Sequence, residues 1–279
     1  MTLDIVIAIN NLENKIESIF NKIEEEMKNI KYNVIFIDNN SDDKSLEILK
    51  NLQRKNDLCI KIISLSKKFD KDTCFYTGIA HSSHELVCLY DFENDDQISQ
   101  INKLYDYILK HKEYDQVCLQ SNTKDSNSKL KIINKIYKLN YDSSISYTRI
   151  MNKYVVNAII EFTKHKPFSL YTFNEIGFNT YYLKTDYKIN NSIDYKKLIE
   201  YSNNKNNLFN IFSLILILLT VIYLILVTLN ILKINDNILL LFILLTNIFN
   251  VYLHILFNKQ KVKTFYIIKE KIGFDENVL

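Results

Sequence analysis

Glu85-Leu-Val-Cys-Leu-Tyr-Asp-Phe-Glu-Asn-Asp-Asp-Gln97 is the stretch from which the fold of this chain can be read. It opens apolar, from Leu86 to Tyr90, and closes in a burst of acid: Asp91, Glu93, Asp95 and Asp96. An apolar run of about five residues between polar flanks reads as a buried parallel strand. The acids then stand just past its carboxyl end, the edge at which open α/β sheets bind their ligands. Asp91 and Glu93 have one residue between them, and at the fraying end of a strand such a pair can turn both carboxylates onto one hard cation. Magnesium or manganese on one or two carboxylates, with phosphate and water completing its shell, is the usual nucleotide arrangement. On the stretch alone, a solvated acidic loop is the competing reading.

Outward from this strand, apolar runs of strand length alternate with helical periodicity. Residues 3–9, 32–37, 58–65 and 116–119 read as further strands. Leu12, Ile16, Ile19, Phe20, Ile23, Met27 and Ile30 recur at spacings of three and four, an amphipathic helix. Helices are also expected around 46–52, capped by Ser41 or Asp42, and over 73–81 and 98–109. The alternation predicts an α/β domain: a mostly parallel, Rossmann-like sheet with helices on both faces. Polar residues recur at the strand ends, at Asn10-Asn11, Asp38-Asn39 and Asp91 with Glu93. That recurrence on one edge fits a nucleotide site. Beyond the fifth strand, 122–129 reads as a polar loop and 130–139 as a lysine-rich amphipathic helix. That helix is taken as a solvated surface helix ahead of a lipid-headgroup contact. Residues 147–151 read as a strand and 153–162 as a helix.

Composition narrows the class. The 279 residues allow one or two domains, and a 47% hydrophobic content suffices for a sizeable core. The three glycines, Gly78, Gly177 and Gly273, make neither G-x-G-x-x-G nor a Walker A loop, which argues against NAD enzymes and P-loop ATPases. A net charge of +3 is too small to argue for nucleic acid. Cys59, Cys74, Cys88 and Cys118 form no metal-type pair and read as reduced thiols of a cytosolic domain. The amino terminus, Met1-Thr-Leu-Asp, has no basic region of a signal peptide.

The last third differs in kind. Residues 208–232 carry no charge; as a helix they span roughly 37 Å, enough to cross a hydrocarbon core of about 30 Å. A polar turn, Lys233-Ile-Asn-Asp-Asn237, leads to a second uncharged run, 238–257. Lysines flank the pair: Lys196, Lys197 and Lys205 before, Lys259, Lys261 and Lys263 after. The expectation is a two-helix transmembrane hairpin with both termini in the cytoplasm, in the plasma membrane. The chain then divides into a sheet domain (1–190), a juxtamembrane segment (191–207), the hairpin (208–258) and a cytoplasmic tail (259–279).

Several blocks, in order, resemble the GT-A-fold, family-2 glycosyltransferases that load a sugar onto a polyisoprenyl phosphate, such as dolichyl-phosphate mannose synthase and the bacterial undecaprenyl-phosphate glucosyltransferases. Val34-Ile-Phe-Ile-Asp-Asn-Asn-Ser-Asp-Asp-Lys-Ser45 is similar to that family's V-D-D-G-S-x-D-x-T block. Leu65-Ser-Lys-Lys-Phe-Asp70, followed by Thr77-Gly-Ile-Ala80, resembles L-S-R-N-F-G…A-G-L. Asp91-Phe-Glu-Asn-Asp-Asp96 falls on D-A-D-L-Q-D, Tyr147-Thr-Arg-Ile-Met-Asn152 on D-F-R-L-M-S, and 263–273 on the R-P-L-Y-I tail. Asn40 stands where the family has a turn glycine, and Tyr147 where it has an acid.

The resemblance implies a membrane glycosyltransferase that moves sugar from a nucleotide-sugar donor, UDP-linked, to a polyprenyl phosphate with inversion, supplying lipid-linked sugar for cell-surface glycans. It implies Mg2+ or Mn2+ on Asp91 and Glu93 and a catalytic role for Arg149. Donor and acceptor contacts are expected at Ile9, Asn11, Asp38, Asn39, Lys67, Asp96 and Lys188. It also implies a homo-oligomer, with the apolar tail 265–272 packing on a neighbour. The alternative is a degenerate, non-catalytic relative acting as a membrane scaffold or binding protein.

Overall fold

A computed structural model describes residues 1–57, 59–92, 98–122, 127–137, 139–189 and 266–274, together with 194, 195, 198 and scattered residues of 218–249. In chain order the elements are β1 (Leu3–Ile9), α1 (Ile16–Glu26), β2 (Tyr32–Asp38), α2 (Ser45–Lys55), β3 (Ile60–Leu65), α3 (Lys71–Ala80), β4 (Leu86–Tyr90), α4 (Ile98–Lys110), β5 (Gln116–Ser121), α5 (Ser128–Tyr137), β6 (Ile145–Asn152), α6 (Lys153–Thr163), α7 (Thr172–Glu175), β7 (Thr180–Thr185) and β8 (Ile268–Ile272).

The chain forms two compact units. The larger holds the sheet, in the order β7-β5-β6-β4-β1-β2-β3-β8. β1, β2, β3 and β4 pair in parallel, β6 runs antiparallel between β4 and β5, and β7 is parallel to β5. Only β6 and β8 therefore oppose the others, which bears out the mostly parallel sheet. The central strands alternate apolar side chains between two cores. Ile5, Ile7, Val34, Phe36, Cys88 and Tyr90 face α1, α2 and α4. Val6, Ile35, Ile37, Val87 and Leu89 face α3 and α6. A strand buried on both faces needs this continuous apolar pattern, and Leu86–Tyr90 forms with the bounds its pattern predicts.

α3 lies directly on β1. A methyl group at Gly78 would stand 2.1 Å from Val6 Cγ1, so only glycine permits the approach. This contact places the first turn of α3 beside the carboxyl ends of β1 and β4.

Several expectations are corrected. α3 begins at Lys71, two residues early, because Asp70 caps it by accepting the Thr73 N–H at 2.8 Å. Neither Ser41 nor Asp42 caps α2; Asp43 Oδ1 accepts the Ser45 N–H at 2.9 Å. α1 begins at Ile16 rather than Leu12. Two strands go unpredicted, β7 and β8. β8 pairs antiparallel with β3, and Tyr266, Ile268, Ile272 and Phe274 pack on this domain's own cores. Residues 268–272 of the tail expected to pack on a neighbour thus form an edge strand of this sheet, while Ile267 is exposed.

The smaller unit comprises Ser128–Leu139, which contains α5, and Asp194–Val262. Lys129 Nζ sits 4.3 Å above the Tyr195 ring. Ile132 and Ile136 are exposed on α5. The two uncharged runs fall largely outside the described residues. Leu218, Val221, Ile222 and Ile225 in the first, and Leu245, Ile248 and Phe249 in the second, are helical and exposed. Among the described residues no helix is long and apolar enough to cross a membrane.

Candidate functional site

The candidate site gathers at the carboxyl edge of the parallel strands. Register places it: Ile9 lies beside Asp38, Asp38 beside Ser64, and Ile7 beside Tyr90. Asp38 and Asp91 thus flank the end of β1, one on each side.

On the β2 side a polar scaffold holds the loops. The Asp38 carboxylate accepts the Ser64 hydroxyl at 2.8 Å and the Ser41 N–H at 3.1 Å. The Asn39 side chain pairs in both directions with Phe69, donating to its carbonyl and accepting its N–H, each at 2.8 Å. Asn39 N–H donates to the Ile9 carbonyl at 2.8 Å. Asn11 Oδ1 accepts the Asp42 N–H at 2.8 Å. Asn11 and Asn40 both carry positive φ, 55° and 53°. Asparagine is the residue that best tolerates this left-handed region after glycine, which explains how Asn40 replaces the family's turn glycine. The Ile9 side chain is fully buried in the core, so only its backbone faces this network.

On the β4 side stands a charged cluster. Asp91 is 5% exposed, and its N–H donates to the Thr148 hydroxyl at 3.1 Å. Lys71 Nζ lies 3.1 Å from each carboxylate oxygen of Asp91 and 5.9 Å above the Tyr147 ring. The Tyr147 hydroxyl donates to Asp72 Oδ1, and its ring stacks on Phe75. Burial, and then the charge of Asp72, raises the Tyr147 phenol well above its ordinary value, so it stays a donor at neutral pH. The position at which the resemblance expects an acid thus carries a phenol bonded to a carboxylate of α3.

Arg149 does not join this cluster. It is 2% exposed, and its guanidinium lies 3.5 Å above the Phe173 ring. It donates to the carbonyls of Ser146, at 2.9 Å, and Tyr147, at 3.4 Å, and to Gln116 Oε1, at 3.3 Å. It borders a small cavity with Tyr141, Asp142, Asn174 and Tyr182. Arg149 shares a face of β6 with Tyr147, two residues earlier, and diverges because Ser146, Tyr147, Gln116 and Phe173 take up its guanidinium. Lys67 is exposed with its ammonium 5.1 Å from the Phe69 ring. Lys188 is exposed just past β7, on the same sheet edge. Glu93 and Asp96 lie outside the described residues.

Sequence reading missed Lys71, Asp72 and Thr148. The signal for the first two was the capping pattern Asp70-x-x-Thr73. It starts the helix early enough to bring its first turn to the site.

A divalent ion fits the residues described. The buried Asp91 carboxylate directs both oxygens at a cation, here the Lys71 ammonium, and oxygen donors of this kind suit magnesium or manganese. Among the described residues no cluster of three or more potential metal ligands occurs, and Glu93, the second expected ligand, lies outside them.

The fold is an α/β domain with a mostly parallel sheet, an acid-ended β4 and a polar cradle after β2. The chain belongs to glycosyl transferase family 2, whose sequence model matches residues 4–187. It is 28% identical over 188 residues to "Putative glycosyltransferase CsbB" of Bacillus subtilis, covering 63% of this chain and 56% of that one. It is 26% identical over 196 residues to "Uncharacterized glycosyltransferase sll0501" of Synechocystis, covering 66% and 60%. The chain thus spans somewhat more than half the length of these curated relatives. Among solved structures, mannosyl-3-phosphoglycerate synthase from Rubrobacter xylanophilus superposes with a TM-score of 0.50 at 11% identity, over 72% of this chain and 70% of that one. That likeness is one of fold.

Proposed function

We propose that this chain is a membrane glycosyltransferase that passes a sugar from a nucleotide-sugar donor, UDP-linked, to a polyprenyl phosphate, inverting the anomeric centre. The observation that carries the chemistry is Asp91: a buried carboxylate at the end of β4, gripped on both oxygens by a cation, in a family-2 chain.

Bound at Asp91 and Glu93, Mg2+ or Mn2+ would supply Lewis-acid stabilisation of the departing diphosphate. Asp38, at the end of β2, is read as an acceptor for the base or ribose. Lys67 and Lys188, exposed on the same edge, offer charge to phosphate oxygens. A lipid phosphate oxygen attacks the anomeric carbon as the bond from that carbon to the diphosphate oxygen breaks, and the bonding pair leaves with the diphosphate. The acceptor's second pKa, about 6, leaves it largely dianionic at neutral pH, so it needs little help from a general base.

The membrane part is supported by the two uncharged runs and their lysine flanks. Leu218, Val221, Ile222 and Ile225, the apolar residues described in the first run, are all exposed, as side chains facing lipid would be. On α5, Ile132 and Ile136 are exposed among Lys129, Lys131 and Lys135, which favours a headgroup contact over a merely solvated helix. β8 belongs to the same sheet as β1 to β7. A chain that enters a membrane between β7 and β8 would then start and finish on one side, as a hairpin with two crossings does.

The test is transfer of radiolabelled sugar from UDP-sugars to undecaprenyl phosphate by the purified protein. Asp91→Asn is expected to abolish transfer and metal-dependent UDP binding while the protein stays folded. Transfer by Asp91→Asn at the wild-type rate overturns the reading. Failure of the wild type to bind any nucleotide with metal favours the non-catalytic scaffold.

A further inference from the structure

We propose that β8 is a positioning element of the donor site: the strand that follows the two uncharged runs clamps the β3–α3 loop from the outer edge of the sheet, and nucleotide affinity depends on that clamp. The proposal rests on the reading of this sheet edge as the nucleotide site.

The loop, 66–70, and the tail both belong to the larger unit. At the start of the loop the Ser66 N–H donates to the Ile267 carbonyl at 2.9 Å, one step beyond the last β3–β8 pair, Leu65 with Ile268. In its middle, Asn39 takes both backbone groups of Phe69. At its end, Asp70 caps α3. The first of these anchors comes from the tail. Without Ile267 the Ser66 N–H would turn to water, and the loop would leave β3 along another path.

The ladder is irregular at the same place. Ser64 faces Glu270 and Leu65 faces Ile268, which leaves Lys269 as an extra residue in β8. A bulge of this kind bends the ladder and re-aims its side chains, and bulges recur beside active sites. Ser64, beside the bulge, is the residue whose hydroxyl donates to the Asp38 carboxylate at 2.8 Å. The Tyr266 ring packs edge-on to Tyr76 of α3, with 6.0 Å between centroids. Phe69, Tyr266 and Ile268 pack against one core cluster. At the far end Gly273 turns the chain with φ +79°, and a Cβ there would stand 2.6 Å from the Ile60 carbonyl oxygen. β8 has only five residues, so loosening either end loosens the whole pairing. An edge strand that merely shields β3 from other chains does nothing for affinity. One that fixes the loop raises the fraction of molecules ready to bind, and apparent affinity scales with that fraction.

The test uses the full chain in mild detergent. Gly273→Val unseats β8 from the end away from the site. Tyr266→Ala unseats it from the near end, and Tyr266→Phe keeps the ring. Gly177→Val is the control, since it strains another left-handed glycine, at φ +68°, with open space around it. Amide hydrogen exchange over 65–70 is followed alongside calorimetric titration of UDP, and of GDP in parallel, with manganese present. Gly273→Val and Tyr266→Ala are expected to exchange faster over 65–70 and to bind UDP about tenfold more weakly, as a clamp closed roughly a tenth of the time requires. The number of sites per chain should not change, and Tyr266→Phe and Gly177→Val should bind as wild type. Faster exchange with wild-type affinity overturns the proposal, as does unaltered exchange in both tail variants. Fewer sites at unchanged affinity is unfolding alone and overturns it too, as does a Gly177→Val protein weakened to the same degree. If Gly273→Val does not fold, Tyr266→Ala decides. A wild-type protein that binds neither UDP nor GDP overturns the nucleotide reading itself, whereas UDP binding that both tail variants leave intact sinks only the role of β8.

Discussion

Arg149 illustrates how neighbours decide what a motif residue does. The resemblance expects a catalytic role for it, yet its donors go to two carbonyls and an amide, and its flat face lies on Phe173. Burial alone pulls its pKa down from the usual guanidinium value, though arginine remains charged throughout the physiological range. Truncation would leave three buried acceptors without a donor and a cavity against Phe173. Arg149→Ala is therefore expected to destabilise the domain by about 2–4 kcal/mol, read from the urea midpoint. A variant of unchanged stability that loses transfer would return Arg149 to the catalytic role that the resemblance implies. Tyr147 and Asp72 carry the same lesson: a phenol where an acid was expected borrows a carboxylate from another element.

At the scale of elements, α3 governs the site. Its first turn carries Lys71 and Asp72, and its middle touches β1 through Gly78. A methyl group at 2.1 Å from Val6 Cγ1 has to push helix and strand apart. Gly78→Ala is expected to cost about 1–3 kcal/mol despite alanine's better helix propensity, measured by thermal or urea unfolding. Metal-dependent UDP binding should weaken with it, because the first turn moves with the helix. A Gly78→Ala protein as stable as wild type would show that α3 rides higher on the sheet than its contacts indicate. The start of this helix was not legible from apolar periodicity, since its first turn is polar. The cap at Asp70 sets it.

For the whole molecule, the decisive feature is that the last strand returns to the first sheet. β8 pairs with β3, so the chain between β7 and β8 starts and finishes on one side of any membrane it enters. Reporter fusions after Asn207 and at Leu279 are both expected to report cytoplasm, and one inserted near Asn235 the outside. An external Leu279 would overturn the hairpin. Tyr266, Ile268, Ile272 and Phe274 of the tail pack on their own sheet, whereas Ile267 is exposed.

The sequence by itself determined the layered α/β architecture, the strand that ends in Asp91, the polar strand ends beside it and the two uncharged runs. Each of these is written in local periodicity or local charge, period two for strands and near 3.6 for helices, and needs no distant partner to be recognised. Tertiary structure alone decided that Lys71 grips Asp91, that Tyr147 holds Asp72, that Arg149 turns away from Thr148, and that β7 and β8 exist at all. β7 reads Thr-Tyr-Tyr-Leu-Lys-Thr and β8 Ile-Lys-Glu-Lys-Ile, mixed segments with little apolar pattern of their own. Edge strands of this kind form because a neighbour offers a ladder of backbone hydrogen bonds, β5 in one case and β3 in the other. That offer exists only once the central sheet has assembled.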